Sequence, residues 1–485
     1  MIGVLGVLTK HKGGEIIKDL IAEIEEEGLN IKIALIGSST EKINSPIFKE
    51  TGKYSRDSIP RLTLKQDIDI FLIPSIWPET FSYTAEEIMK MDMPIMCFNI
   101  GAPAERVAQY QKGMVIPEIS AKAILEIIKN QNVIANCLKL ERKNKKVLFV
   151  VEEDSFATRY RVEHLREQLL VQGIDSRRIM ISCSDKCELD GYQSIVLYRV
   201  SKIKQVQKLV KSAHKLGKLV YYDMDDYIFE YSKIKDLLFL EGKEYKNYEQ
   251  YSDDIRKSME LCDGYIVSTI ELKEKILNNF PEKPVYVNRN VASMAMDICS
   301  LDNQHKKEEN RIYLGYFSGT KTHNEDFESI KNQIIDIMKE NDNVYLLIGG
   351  QITLPEEFNN VKKRVERFKF VVWRNLPRLI AKADINLMPL ETTDFHNCKS
   401  ENKWMEAALV KVPTVATWNS ELARVIDHGV NGYLCHSETD WKNILQKLID
   451  SPKLREEIAD NAYQKAMAQY TTSHIEPDVL DALIR

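Results

Sequence analysis

Apolar runs of strand length alternate with longer amphipathic stretches along nearly the whole chain. The runs are Ile31–Ile36, Ile68–Ile73, Val147–Val151, Ser194–Tyr198, Leu219–Tyr222, Gly264–Val267, Val344–Ile348 and Ile385–Pro389. They are apolar almost throughout instead of every second residue, which predicts strands covered on both faces. Alternation of such strands with helices predicts an α/β chain of parallel, doubly wound sheets, with ligands at the carboxyl ends of the strands. Met1-Ile-Gly-Val-Leu-Gly-Val-Leu8 lacks a charged lead and a cleavage site. It therefore reads as one more buried strand, not a signal peptide.

Two stretches repeat each other. Asp67–Pro74, a loop, a helix with Glu87 and Met93–Cys97 answer Ala383–Pro389, a loop, a helix with Glu406 and Val412–Ala416. The helix Glu precedes a Pro by seven residues in both copies (Pro94, Pro413) and a Gly by 26 in both (Gly113, Gly432). Upstream, Leu35-Ile-Gly37 answers Leu347-Ile-Gly349. Two domains of one kind thus bracket a different one.

Length and composition fit this plan. A chain of 485 residues exceeds a single core, and 44% hydrophobic with 29% charged residues is globular, not disordered or fibrous. The expected division is 1–130, a linker 131–145, 146–300, a polar hinge 301–310, 311–470 and a C-terminal tail 471–485. A net charge of −5 gives no footprint for nucleic acid. No apolar run reaches a membrane span, so a cytoplasmic chain is expected. The eight cysteines are scattered without metal spacing, which predicts reduced thiols and no structural zinc.

The chemistry is expected where strands hand over to helices. In Pro74-Ser-Ile-Trp-Pro-Glu79-Thr80-Phe81-Ser82-Tyr-Thr-Ala-Glu86-Glu87, a loop leads into a helix whose free N–H groups and dipole favour a diphosphate. Glu79 is placed to approach a sugar and Glu87 to reach ribose hydroxyls. A helix cap and a solvated face are the alternative reading. In the second copy Cys398 stands eight before Glu406, and Lys399 and Lys403 lie one turn apart beside Ser400 and Asn402. Both lysines suit phosphate oxygens. Ser318-Gly319-Thr320-Lys321 is a small polar turn after a strand, a second phosphate cradle with Lys321 as counter-charge. Asp223, Asp225 and Asp226 close a strand of the middle domain. Asp223 or Asp225 is the candidate to orient or deprotonate an acceptor hydroxyl, with an Asp-x-Asp metal site and a plain turn as alternatives. Arg159 and Arg161 follow the first strand of that domain, facing a phosphate or simply opening a helix.

The segment from Glu79 to Glu87 resembles the Glu-x7-Glu signature of the retaining family 4 (group 1) glycosyltransferases of the GT-B fold. Gly101-Ala-Pro-Ala-Glu-Arg106 resembles the loop that comes after it there. Gly6-Val-Leu-Thr-Lys10-His-Lys12-Gly13 resembles the family's basic segment facing the donor diphosphate, without the usual Arg. Tyr316–Asn324 resembles the first loop of bacterial polysaccharide glycosyltransferases. The resemblance implies three Rossmann-like domains: an orphan donor-binding lobe, then an acceptor lobe and a donor lobe forming a two-lobed transferase. The orphan lobe implies either a fragment of a longer tandem enzyme or an accessory lobe.

The activity that the resemblance implies is sugar transfer from a nucleoside-diphosphate sugar to a saccharide or lipid-linked glycan, in bacterial surface polysaccharide synthesis. Retention is expected, with Lys321, Lys399 and Lys403 in place of a metal ion and no cofactor. Peripheral contact with the inner face of the plasma membrane would suit a lipid-linked acceptor. Two other readings stay open: a non-catalytic scaffold of decayed lobes that binds glycans or partners, and a nucleotide-sugar epimerase of the same fold.

Overall fold

A computed structural model describes residues 1–91, 93–110, 112–129, 145–235, 243–301, 303–304, 310–318, 324–350 and 352–485. The expected linker up to residue 144, Gly319, Thr320, Lys321 and most of the expected hinge lie outside the described residues. The chain forms two compact units, residues 1–144 with 170–175, and 145–169 with 176–485.

The first unit carries one sheet: β1 (Ile2–Leu8), β2 (Ile33–Ser39), β3 (Phe48–Glu50), β4 (Ile70–Ile73), β5 (Ile95–Phe98) and β6 (Gly113–Ile116), in the order β3-β2-β1-β4-β5-β6. The second unit carries two. Its first sheet has β7 (Lys146–Val151), β8 (Asp175–Met180), β9 (Ser194–Tyr198), β10 (Leu219–Met224), β11 (Gly264–Val267) and β12 (Val285–Val287), ordered β12-β11-β10-β9-β7-β8. The other has β13 (Ile312–Ser318), β14 (Val344–Gly350), β15 (Val365–Phe368), β16 (Ile385–Met388), β17 (Thr414–Thr417) and β18 (Tyr433–Cys435), ordered β15-β14-β13-β16-β17-β18. The fold is α/β, three Rossmann-like sheets with helices between parallel strands.

The repeat is visible in the register. Ile2 pairs with Ile70 and Gly3 with Phe71; Leu314 pairs with Ile385 and Gly315 with Asn386. This alignment brings Gly113 and Gly432 into equivalent places at the start of their last strands. It also moves one equivalence by a residue. Gly37 lies at φ +146° with a Cβ position 1.7 Å from the Gly6 carbonyl oxygen, and Gly350, at φ +102°, stands 1.8 Å from that of Ser318. The counterpart of Gly37 is Gly350, because the register pairs each with the equivalent residue of the first strand and both combine a positive φ with overlap of a Cβ on that residue's carbonyl.

Each sheet is filled from both faces by its helices, as the uniformly apolar strands require. Around the middle sheet, Leu148, Val150, Leu197, Val220, Tyr222 and Val267 are buried with Val206, Leu209 and Ile276 from the flanking helices. The C-terminal tail is a helix, Pro477–Ile484, that packs against β7, β9 and β12. Tyr221 and Ser194 of that sheet donate to the carbonyls of Ala482 and Leu483. The last helix thus returns from the third sheet to the middle one and ties the two into a single body. Among the described residues no helix is long and apolar enough to cross a membrane.

Candidate active site

In the first unit, the loop after β4 enters a helix, Tyr83–Lys90, that Ser82 caps by accepting the Ala85 N–H at 3.3 Å. Ser82 is buried on that cap and also lines the cleft described next, with its hydroxyl proton not used by the cap. Glu79 is partly exposed, 3.7 Å from the Lys12 ammonium, and both border a small open cleft with Leu5, Leu8, Pro74 and Ser75. Glu87 is buried. Burial pushes its carboxyl up to about 7, against the pull of Arg56, whose Nε lies 3.1 Å from it. Phe81 lies under the Arg106 guanidinium at 4.4 Å, while Thr80 and Lys10 are exposed.

Gly13 adjoins the same cleft for a conformational reason. It sits at φ +82° at the start of the helix Gly14–Glu26, and a Cβ there would be 2.0 Å from the Pro74 carbonyl oxygen. Gly13→Ala is expected to destabilise this unit by roughly 2 kcal/mol or more, since strain and overlap add. Urea denaturation of the full chain measures it, and an unchanged midpoint would remove the argument.

In the second unit the interest lies between its two sheets. Asp223 is the fifth residue of β10, completely buried, and accepts from Nε and Nη2 of Arg161 at 2.7 and 2.8 Å. Arg161 is buried too, and also donates to the carbonyl of Asn288 and to Oδ1 of Asn290. The pair is closed to a substrate, so Asp223 is corrected from candidate base to buried partner of Arg161. Asp225 is also engaged, accepting from Arg199 Nε at 2.8 Å and the Tyr198 hydroxyl at 3.1 Å. With Asp223 and Asp225 each committed to a guanidinium, an Asp-x-Asp metal site is not what this strand end builds.

Asp226 makes the link that the sequence alone did not reveal. Its carboxylate accepts from Arg199 Nη2 of its own domain at 2.5 Å and, across the two domains, from Lys399 Nζ at 2.7 Å. Burial opposes its ionisation, yet Lys399 and Arg199 hold its carboxyl well below the ordinary range. Arg199 is presented by a backbone at φ +47°, uncommon for a side chain of this size. The only signal in the sequence is its place, directly after the apolar strand Ser194–Tyr198.

Lys399 opens a row along the approach to the helix Asn402–Leu409. Ser400 Oγ accepts from Asn290 Nδ2 at 3.1 Å, which makes it part of the contact between the domains. Lys403 has a partly exposed stem, but its ammonium is buried without a hydrogen bond, 4.6 Å from the centre of the Tyr316 ring. Burial lowers its ordinary value to about 8. Oδ1 of Asn402 is likewise buried without a partner. Glu406 accepts from the Tyr160 hydroxyl of the middle domain, and burial raises its carboxyl against Tyr160, Arg159 and Lys403. Lys399, Lys403 and Glu406 thus share one helix approach at the domain boundary. Ser318 is buried at the end of β13.

Around this row the two domains are pinned by buried polar contacts. Arg289 reaches Glu401 at 3.1 Å and Glu421 at 2.7 Å. The other Glu421 oxygen accepts the N–H groups of Ile270 and Glu271, at the start of a helix capped by Thr269. A carboxylate at that helix end is favoured by its free N–H groups and dipole. Asp326, Glu391 and His396 are the described residues with atoms close enough together to hold a metal ion, all within 4.8 Å. Their present contacts are within the protein: Asp326 accepts the Glu391 N–H, and His396 Nδ1 lies 2.8 Å from Thr393 Oγ1.

Residues 1–146 match the family described as Glycosyl transferases group 1, and residues 311–451 match a second family of the same description. No curated protein matches the chain in sequence. Among solved structures it is similar to Anabaena HepE in complex with UDP, at 14% identity and a TM-score of 0.48, over 70% of this chain and 99% of that one. It is also similar to WaaG, a glycosyltransferase involved in lipopolysaccharide biosynthesis, at 15% identity and 0.44, over 70% and 99%. Staphylococcal TarM in complex with UDP aligns at 16% identity and 0.43, over 62% and 57%.

Proposed function

We propose that this chain, a glycosyltransferase with two group 1 domains, moves a sugar from a nucleoside-diphosphate sugar bound between its second and third sheets. The acceptor is a saccharide or lipid-linked glycan of a bacterial surface polysaccharide. The observation that carries the reading is the row of Lys399, Lys403 and Glu406 in a family-matched domain, at a boundary where a partner domain closes over it. The lysine charges would stabilise the leaving diphosphate, without a metal ion or cofactor. Lys399 would exchange Asp226 for phosphate oxygens, and Glu406 would exchange the Tyr160 hydroxyl for ribose hydroxyls.

Retention is the stereochemistry we favour. Asp223 and Asp225, the acids nearest to a base role by sequence, are each held by an arginine. Attack from the leaving-group side lets the departing diphosphate oxygen take the acceptor's proton, so no protein base is needed. The first unit, with Glu79, Glu87 and Lys12 around its cleft, would be a second, accessory donor site. Work at the inner face of the plasma membrane fits a lipid-linked acceptor.

Incubation with a panel of nucleotide sugars tests the reading. Slow release of free nucleoside diphosphate is expected, and Lys399→Ala or Glu406→Ala should lower it about 100-fold or more. Full turnover in both variants would sink the site. Epimerised sugar in place of release would favour an epimerase, and binding of glycan without nucleotide would favour a scaffold.

A further inference from the structure

The helix that carries Arg161 is not a plain α-helix. Ser155 and Thr158 form a reciprocal cap, and Arg159–Glu163 then winds as a π-helical turn before the α-helix resumes at His164. Such turns displace side chains from the regular helical positions and are frequent at functional sites. Here the turn sends Arg161 into the core and leaves Arg159 at the domain boundary. The Arg159 guanidinium lies 4.6 Å from the centre of the Tyr160 ring and 4.8 Å from that of Trp373, which belongs to the third domain. Its Nε and Nη1 are buried and make no hydrogen bond.

Arg159 forms no ion pair among the described residues, and neither does Lys403. Both act electrostatically on Glu406, which is hydrogen-bonded to Tyr160. Two cations with unmet donors, one from each domain, thus act on one carboxylate. Buried N–H groups without acceptors are costly, and a charge raises that cost. An arginine held against two rings with its Nε and Nη1 unpaired keeps a planar fork of donors for a two-oxygen partner, the geometry in which it binds phosphate.

We propose that Arg159, together with Lys403, is an anion-binding site of the cleft that takes a phosphate ester. The proposal rests on sugar transfer for the ligand's identity only. Two sources share this chemistry: the diphosphate of the donor, or a phosphate on the acceptor. The acceptor source is suggested by the apolar rim close by, where Phe156 is 65% exposed and Val372 60%, and where Phe156 and Phe370 pair across the domains at 5.3 Å.

Calorimetric titration of the full chain with UDP, inorganic pyrophosphate and geranyl phosphate tests this. Wild type should bind at least one probe, Arg159→Gln should weaken it about 10- to 100-fold, and Arg159→Lys should keep part of the affinity. Loss confined to UDP and pyrophosphate assigns the donor source, and loss confined to geranyl phosphate the acceptor source. The melting temperature of Arg159→Gln should equal or exceed that of wild type, because no hydrogen bond of Nε or Nη1 is removed. Unchanged affinity for all three probes, no binding by wild type, or a markedly lower melting temperature would each overturn the site. If phosphate binding falls with Arg159→Gln while no nucleotide sugar is turned over, the site stands and sugar transfer does not.

Discussion

Arg161→Ala is expected to cost the second unit about 3–5 kcal/mol, enough to threaten its folding. The guanidinium is completely buried, and its removal leaves Asp223 inside β10 with no counter-charge and Asn288 and Asn290 without their donor. The pH dependence identifies the mechanism. Burial already raises the Asp223 carboxyl to about 6, against the opposing pull of Arg161. A folded value above the unfolded one means the folded state binds the proton more tightly, so this group's contribution is present at low pH and is lost as pH rises from about 4 through 6. Without Arg161 the carboxyl rises further, so the deficit relative to wild type should be smallest near pH 4 and largest near pH 7. Urea denaturation at several pH values measures it. Replacing both partners together, Arg161→Met with Asp223→Leu, should recover most of the loss. A deficit below about 1 kcal/mol, or one independent of pH, would mean that the pair is not what holds this end of the sheet.

The same pair shows where reading the chain stops. Arg161 reads equally as an exposed helix start, because nothing local signals the π-helical turn that rotates it into the core. Leu219–Tyr222 reads as a strand with acids after it, but β10 runs to Met224, and Asp223 inherits an inward position from the apolar residues before it. Periodicity fixes what a strand is made of and not where it ends. The repeat, by contrast, was legible, because Pro94 and Pro413 or Gly113 and Gly432 mark places where backbone geometry tolerates few residues. Its one offset, Gly350 for Gly349, arose where two glycines stand together and only the contact with Ser318 separates them.

The candidate site was legible on one side only. Lys399, Lys403 and Glu406 sit on one helix approach, so their spacing places them together. Their partners come from the other domain: Asp226 lies 173 residues from Lys399, and Tyr160 lies 246 from Glu406. No periodicity spans such separations. Under the proposed function those cross-domain contacts would be exchanged on binding, since Lys399 and Glu406 are each held by a group of the other domain.

Lys403→Met should make the protein more stable and less active. The ammonium is buried without a hydrogen bond, and burial lowers its value from the ordinary 10.5 to about 8. A folded value below the unfolded one means that charging this lysine costs folding free energy. The cost is fully present below pH 8 and fades as pH rises towards 10.5. A shift of that size corresponds to roughly 3 kcal/mol, and the partly exposed stem makes about 1–3 kcal/mol the expected gain at pH 7. The gain should shrink as pH approaches 10. Asp326, Glu406 and Lys399 are the charged groups acting on it, and the two acids offset only part of the burial. A cation kept at such a cost is explained by a ligand that needs it, so release of nucleoside diphosphate should fall about 100-fold in the same variant. Denaturation and turnover measured on one preparation decide the matter. A variant that is less stable and equally active would make Lys403 a packing residue, and a variant that is more stable and equally active would leave its charge without a role in transfer.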